Sequence, residues 1–197
     1  MRAFELNRIE KLYFSTNDIA KALSITPESA KVTTFRYAKA KIITKIKKDI
    51  YILSHKIPFL TEEELFKLAN IIQTPSYISL TTALSYYNIS TQQQRDFIES
   101  IALKKTKSLY VGNVNFSFVL IKPNLYREFI LQNGFFIATQ EKALADAVYL
   151  SSLNRYSCDF DAIHFKKLDL QKIEDFLKDT NKMTINFWIR LCKTYKI

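Results

Sequence analysis

Thr26-Pro27-Glu28-Ser29-Ala30-Lys31-Val32-Thr33-Thr34-Phe35-Arg36-Tyr37-Ala38-Lys39-Ala40-Lys41 decides how the chain is read. Thr26 stands as an N-cap, Pro27 at the first helical position, and Glu28 in the first turn, where the helix dipole favours an acid. The helix so begun runs to about Lys41, with Ala30, Thr34, Tyr37 and Ala38 spaced as one inward stripe. Upstream, Phe14-Ser15-Thr16-Asn17-Asp18-Ile19 opens another helix with capping residues ahead of an apolar stripe of Ile19, Ala20 and Leu23. Ser24-Ile25 breaks it, and Ile25 is expected to pack in the turn. Two helices joined by a turn of about three residues form a helix-turn-helix, whose second helix reaches into the major groove.

Outward from this pair, Phe4, Ile9 and Leu12 make a short amphipathic segment over roughly Arg2 to Lys11. On the other side, Ile42-Ile43-Thr44-Lys45-Ile46-Lys47 alternates apolar and polar residues, as Ile50-Tyr51-Ile52-Leu53 does in part. Lys48-Asp49 lies between them at hairpin-turn spacing. A hairpin that follows a recognition helix reads as a wing. The competing reading is a small helical subdomain beside an unrelated hairpin. Caps, periodicity and charge agree on the winged helix.

The charge is concentrated in the same region. Residues 1–57 hold 12 Lys+Arg against 5 Asp+Glu, whereas residues 58–197 hold 17 against 14. Between Lys31 and Lys48 stand seven basic residues (Lys31, Arg36, Lys39, Lys41, Lys45, Lys47 and Lys48) and no acid. Such a block is the electrostatic footprint of a phosphate-backbone partner. A merely solvated surface is the bland alternative, since lysine outnumbers arginine 22 to 7 in the whole chain. Ser29, Lys31, Val32, Arg36 and Lys39 fall outside the inward stripe. Arg36 suits a guanine edge and Val32 a thymine methyl, while Lys31, Lys39 and the wing lysines Lys45, Lys47 and Lys48 suit phosphates. The expected partner is double-stranded DNA at an inverted-repeat operator, with two copies of the chain on each operator.

Composition closes off other classes. At 197 residues and 23.0 kDa the chain is one or two domains, and 48% hydrophobic with 24% charged residues is ordinary for a globular protein. Gly112 and Gly134 are the only glycines, so no glycine-rich phosphate loop exists and no nucleotide cofactor is expected. No apolar run of transmembrane length occurs, and Met1 to Glu10 lacks the apolar core of a signal peptide. Cys158 and Cys192 have no C-x-x-C spacing, which suits two inert thiols in a reducing compartment. The expected location is the cytoplasm.

Residues 58–197 read as an α+β domain, with the boundary near His55–Leu60. Thr61-Glu62-Glu63-Glu64 caps a helix that ends before Thr74-Pro75, and Ser79 caps a shorter one over Leu80 to Tyr87. Strand-like runs follow at Phe97 to Leu103, Ser108 to Val111, Phe116 to Ile121 and Phe135 to Ala138. Their short spacing predicts antiparallel pairing. Helices are expected from Thr139 through Leu150, at Leu170–Leu177 and at Thr184–Thr194.

No catalytic constellation emerges, and an enzyme is not expected. His55 and His164 lack the neighbours of a zinc site or a nucleophilic triad. Asp159 and Asp161 form a D-x-D, the magnesium motif of nucleotidyltransferases, but the Gly-Ser that cradles the nucleotide is missing; the pair reads as a solvated turn. The aromatic strands read as core rather than as a base-stacking platform.

Three segments together resemble the AbiEi-type antitoxins of bacterial type IV toxin–antitoxin and abortive-infection systems. They are Phe14 to Leu53 with Ile50-Tyr51-Ile52-Leu53 at its end, Pro75-Ser76-Tyr77-Ile78-Ser79-Leu80-Thr81-Thr82-Ala83-Leu84, and Ile137-Ala138-Thr139-Gln140-Glu141-Lys142-Ala143-Leu144-Ala145-Asp146. Departures occur at Asp49, Asn88 and Gln140, where the family commonly has Gly, Gly and Pro. The resemblance implies a repressor of its own operon that counters a nucleotidyltransferase-like toxin without a stable complex. The alternative is a winged-helix regulator whose second domain senses a ligand or protein; an RNA-binding or RNA-modifying enzyme is a third class. Lys142 and Asp146 are i,i+4 neighbours on one helix face, with Ala143, Leu144 and Val148 burying the other. Glu141, Lys142 and Asp146 are also the candidate antitoxin surface.

Overall fold

The computed structural model describes residues 3–197, so Arg2, the expected start of the first segment, lies outside the described residues. Contacts divide the chain into two compact units. One runs to Leu68 and includes Tyr110–Val114; the other comprises Ala69–Leu109 and Asn115–Ile197.

The first unit is built from local signals. Helix α1 (Thr16–Leu23) starts on a capping box: the Ser15 hydroxyl accepts from the Asp18 N–H at 3.2 Å, and the Asp18 carboxylate accepts from the Ser15 N–H at 2.8 Å. The Lys11 ammonium and the Ser15 N–H hold the Asp18 carboxyl down at about 2. Ser24 takes a left-handed φ of 52° and ends the helix. Helix α2 (Pro27–Lys39) starts on Thr26, whose hydroxyl accepts from the Ser29 N–H at 3.3 Å. Ala30, Thr34 and Tyr37 are its buried residues, and Ile25 packs against the same core.

Strands β1 (Ile43–Lys47) and β2 (Ile50–Leu53) pair antiparallel, with a break in register between Lys45 and Lys47. Phe14, just before α1, exchanges two 2.9 Å backbone hydrogen bonds with Tyr51 and ties the hairpin to the helices. Leu6, Ile9, Phe14, Ile19, Leu23, Tyr37, Ile43 and Leu53 form the core. The first segment departs from expectation, because Phe4 points outward and Leu6 takes the core position. Ala3–Arg8 winds as a 3-10 helix, and its three-residue repeat aligns Ala3, Leu6 and Ile9.

This unit continues past residue 57 through the first part of α3 (Glu62–Ile72), where Phe66 and Leu68 are buried. It also takes in the tip of a later hairpin. There Gly112 has φ 63°, and a Cβ on it would lie 2.8 Å from Ile57 Cγ2, so only glycine fits.

The second unit carries most of a six-stranded sheet: β3 (Ser76–Ile78), β4 (Phe97–Ala102), β5 (Lys107–Val111), β6 (Val114–Leu120), β7 (Phe129–Gln132) and β8 (Phe135–Ala138). Their spatial order is β5-β6-β4-β3-β8-β7. The α+β class stands, but antiparallel pairing throughout does not. Strands β3 and β4 pair antiparallel, as do β7 and β8, while β4 with β6 and β3 with β8 are parallel. Short spacing dictates pairing only across a tight turn. Leu103–Thr106 instead carries the chain to the far edge, where β5 forms, and β6 returns alongside β4.

Strands β3 and β7 had no expected counterpart. Strand β3 has three residues, all buried, and so shows no alternation. Strand β7 is announced by Asn133-Gly134, both at positive φ (48° and 84°), a favoured two-residue hairpin turn. Four helices complete the unit: α4 (Leu80–Tyr86), α5 (Gln140–Ser152), α6 (Leu170–Leu177) and α7 (Lys182–Tyr195). Helix α5 packs against α4, α6 and α7 and is buried along nearly its whole length. No helix among the described residues is long and apolar enough to cross a membrane.

Candidate nucleic-acid interface

The inward stripe of α2 leaves its other face to solvent, and that face carries the charge. Ser29, Lys31, Val32, Arg36 and Lys39 are all exposed, as are Lys45, Lys47 and Lys48 on the hairpin. None of these six basic groups is in an ion pair among the described residues. Both elements belong to the same compact unit. The eight expected residues therefore lie on the surface, with their cationic groups available to an external anion.

The hairpin tip is held by its one acid. Asp49 adopts a left-handed φ of 56°, a conformation that Asp tolerates better than most residues. Its carboxylate accepts from the Thr16 N–H at 3.0 Å, and the Thr16 hydroxyl first, then this N–H, hold its pKa below the usual range. The Asp49 side chain thus anchors the hairpin to the start of α1.

Phe35 escaped the sequence reading. It is 71% exposed on the outward side of α2, four residues from both Lys31 and Lys39. Its absence from the inward stripe was the signal available.

Glu141, Lys142 and Asp146 do not form a surface. They are 6%, 4% and 1% exposed, because neighbouring elements cover both faces of α5. The i,i+4 pairing of Lys142 with Asp146 is present, as a buried ion pair. Asp146 Oδ2 also accepts from the Tyr77 hydroxyl at 2.9 Å and the Ser79 hydroxyl at 2.9 Å. The pair therefore ties α5 to β3 and to the start of α4. With its lone pairs taken internally, this carboxylate is core structure, and burial beside Asp146 holds the Tyr77 hydroxyl well above its ordinary pKa.

A second buried network was not foreseen. Glu99, in the middle of β4, is 4% exposed. Its Oε2 accepts from the Tyr156 hydroxyl at 3.2 Å and the Thr82 N–H at 3.3 Å, while the Thr82 hydroxyl oxygen accepts from the Glu99 N–H at 2.9 Å. Burial pushes the carboxyl up to about 7 despite these donors. An acid flanked by Phe97, Ile98 and Ile101 was the legible sign. The nearby Cys158 thiol is pushed up to about 12, by burial first and then by Glu99, so it is a poor nucleophile at neutral pH.

Two further clusters are internally satisfied. Asp159 accepts from the Asp161 N–H and from Gln92, and Asp161 accepts from the Tyr195 hydroxyl at 2.8 Å. Glu64 completes a capping box with Thr61 at the start of α3.

No family model and no curated protein matches the chain. Among solved structures, it is similar to the crystal structure of the RV2827C protein from Mycobacterium tuberculosis, with a TM-score of 0.64 and 10% sequence identity over 98% of this chain and 75% of that one. At that identity the likeness is one of fold.

Proposed function

We propose that this protein is a DNA-binding transcriptional repressor that acts in the cytoplasm as the antitoxin of an AbiEi-type system. In this reading it represses its own operon and counters a nucleotidyltransferase-like toxin. The observation that carries the DNA-binding part is the outward face of α2 with its adjoining hairpin, where Lys31, Arg36, Lys39, Lys45, Lys47 and Lys48 are all exposed. A helix of this kind fits the major groove, and lysines on a following hairpin suit the phosphate backbone. The antitoxin part rests on the resemblance of the three sequence segments, two of which meet in the Tyr77–Ser79–Asp146–Lys142 network.

The test is equilibrium binding to the duplex upstream of the gene over a range of salt. Affinity falls steeply with salt, and each phosphate contact removed lowers the slope by about 0.9. Replacing Lys45, Lys47 and Lys48 together with Ala flattens the slope by roughly two to three. An unchanged slope takes the hairpin out of the interface, and no duplex binding at all refutes the repressor.

A further inference from the structure

Two apolar side chains stand in the open on the helix that carries the basic face. Phe35 is 71% exposed and Val32 is 53% exposed. Neither closes the core, which α2 meets through Ala30, Thr34 and Tyr37 on its other side. A phenylalanine left in water gains nothing for the fold, so its place on α2 calls for a different account.

The placement is specific. At about 100° per residue, Val32 and Phe35 point roughly 60° apart on the outward side of the helix. Arg36 adjoins Val32, and Lys31 and Lys39 lie one turn either side of Phe35. Along the axis the two apolar residues are about 4.5 Å apart, against a rise of ~3.4 Å per base pair. They are therefore spaced to meet neighbouring base pairs. A phosphate backbone offers an aromatic ring no matching surface. The floor of the major groove offers one apolar group, the thymine 5-methyl, which Phe and small aliphatic side chains cover well.

We propose that Phe35, acting with Val32, determines sequence specificity by covering the 5-methyl groups of thymines on neighbouring base pairs, so that α2 reads a thymine-containing half-site. This rests on the DNA-binding reading above. The surrounding lysines then supply sequence-independent attraction, and the two apolar side chains supply discrimination.

The experiment uses the full chain. A duplex is selected from a random pool, and each thymine in it is replaced singly by deoxyuridine, which removes only the methyl. Affinity is measured for the parent and for Phe35→Ala, a substitution at an exposed position whose melting curve verifies that the variant folds. For the parent, uridine at two neighbouring positions weakens binding about fourfold each, the worth of one buried methyl. In Phe35→Ala one of those positions becomes insensitive while the salt slope stays unchanged. A uridine scan without effect on the parent overturns the proposal. So does a variant that keeps the parent's full sensitivity, or a selection that enriches no sequence although duplex is bound. A variant that changes only the sedimenting mass makes Phe35 a protein–protein contact and likewise overturns it. Failure of the parent to bind any duplex refutes the DNA-binding reading itself, a distinct outcome.

Discussion

Arg36 and Phe35 are adjacent on α2, and their chemistries predict separable losses. A guanidinium that meets a guanine edge in bidentate fashion contributes about 1–3 kcal/mol of discrimination. Arg36→Ala should therefore weaken operator binding by that amount and leave non-specific duplex binding nearly unchanged. Competition anisotropy with operator and random duplexes measures both, and equal losses would make Arg36 a phosphate contact. Glu99 carries a prediction of another kind. Its folded carboxyl titrates at about 7, against an ordinary value of 4.5, so the folded chain holds a proton that the unfolded chain releases. Stability therefore falls as pH rises through that interval, by on the order of 3 kcal/mol. Glu99→Gln keeps an oxygen acceptor for Tyr156 and Thr82 without an ionisable group. It should flatten the dependence of the urea midpoint between roughly pH 5 and 8 and raise it at the upper end. A parent with a flat profile over that interval would show that the carboxylate is accommodated in its charged form.

At the scale of the element, α5 departs from the usual surface helix, which keeps one face wet. Its charged residues face packed neighbours, and Asp146 is acceptor to Lys142, Tyr77 and Ser79 at once. Removing one member of a buried ion pair strands the other. Lys142→Ala should destabilise the chain by about 3–5 kcal/mol. Lys142→Met combined with Asp146→Asn leaves an acceptor for both hydroxyls and no buried charge, and should cost clearly less than Lys142→Ala alone. Urea unfolding of the parent and both variants decides. A Lys142→Ala cost below about 1 kcal/mol would mean that the site rehydrates freely.

For the whole molecule, the proposed DNA-contacting residues on α2 and the hairpin all lie in the first unit, and the full chain is the appropriate form in which to separate repression from neutralisation. A cut after residue 57 would divide Ile57 from Gly112, and Val111 and Val114 at the same hairpin tip are themselves buried. Truncation there would expose core on both pieces, so surface substitution is the cleaner instrument. The Lys45, Lys47 and Lys48 triple Ala variant should lose repression in a promoter reporter and keep relief of growth arrest under toxin induction. A variant that loses both would place neutralisation under the control of DNA binding, through repression of the toxin gene.

What the sequence determined by itself were features set within a few residues: the caps Ser15 and Thr26, the stripe Ala30–Thr34–Tyr37, the hairpin around Lys48-Asp49, and the exposure of the basic face. Cap hydrogen bonds and helical or strand periodicity act locally, so no distant neighbour was needed to read them. The Asn133-Gly134 turn was equally local and equally legible. The tertiary structure alone decided the rest. Burial of Glu141, Lys142 and Asp146 depends on covering both faces of α5, and the hydrogen bond from Tyr77 to Asp146 spans 69 residues. The parallel pairing of β4 with β6 depends on where β5 finds its edge, and the assignment of Tyr110–Val114 to the first unit depends on Ile57. An i,i+4 pair of opposite charges looks the same in sequence whether water or a packed neighbour lies over it, because burial is a property of what folds against the helix.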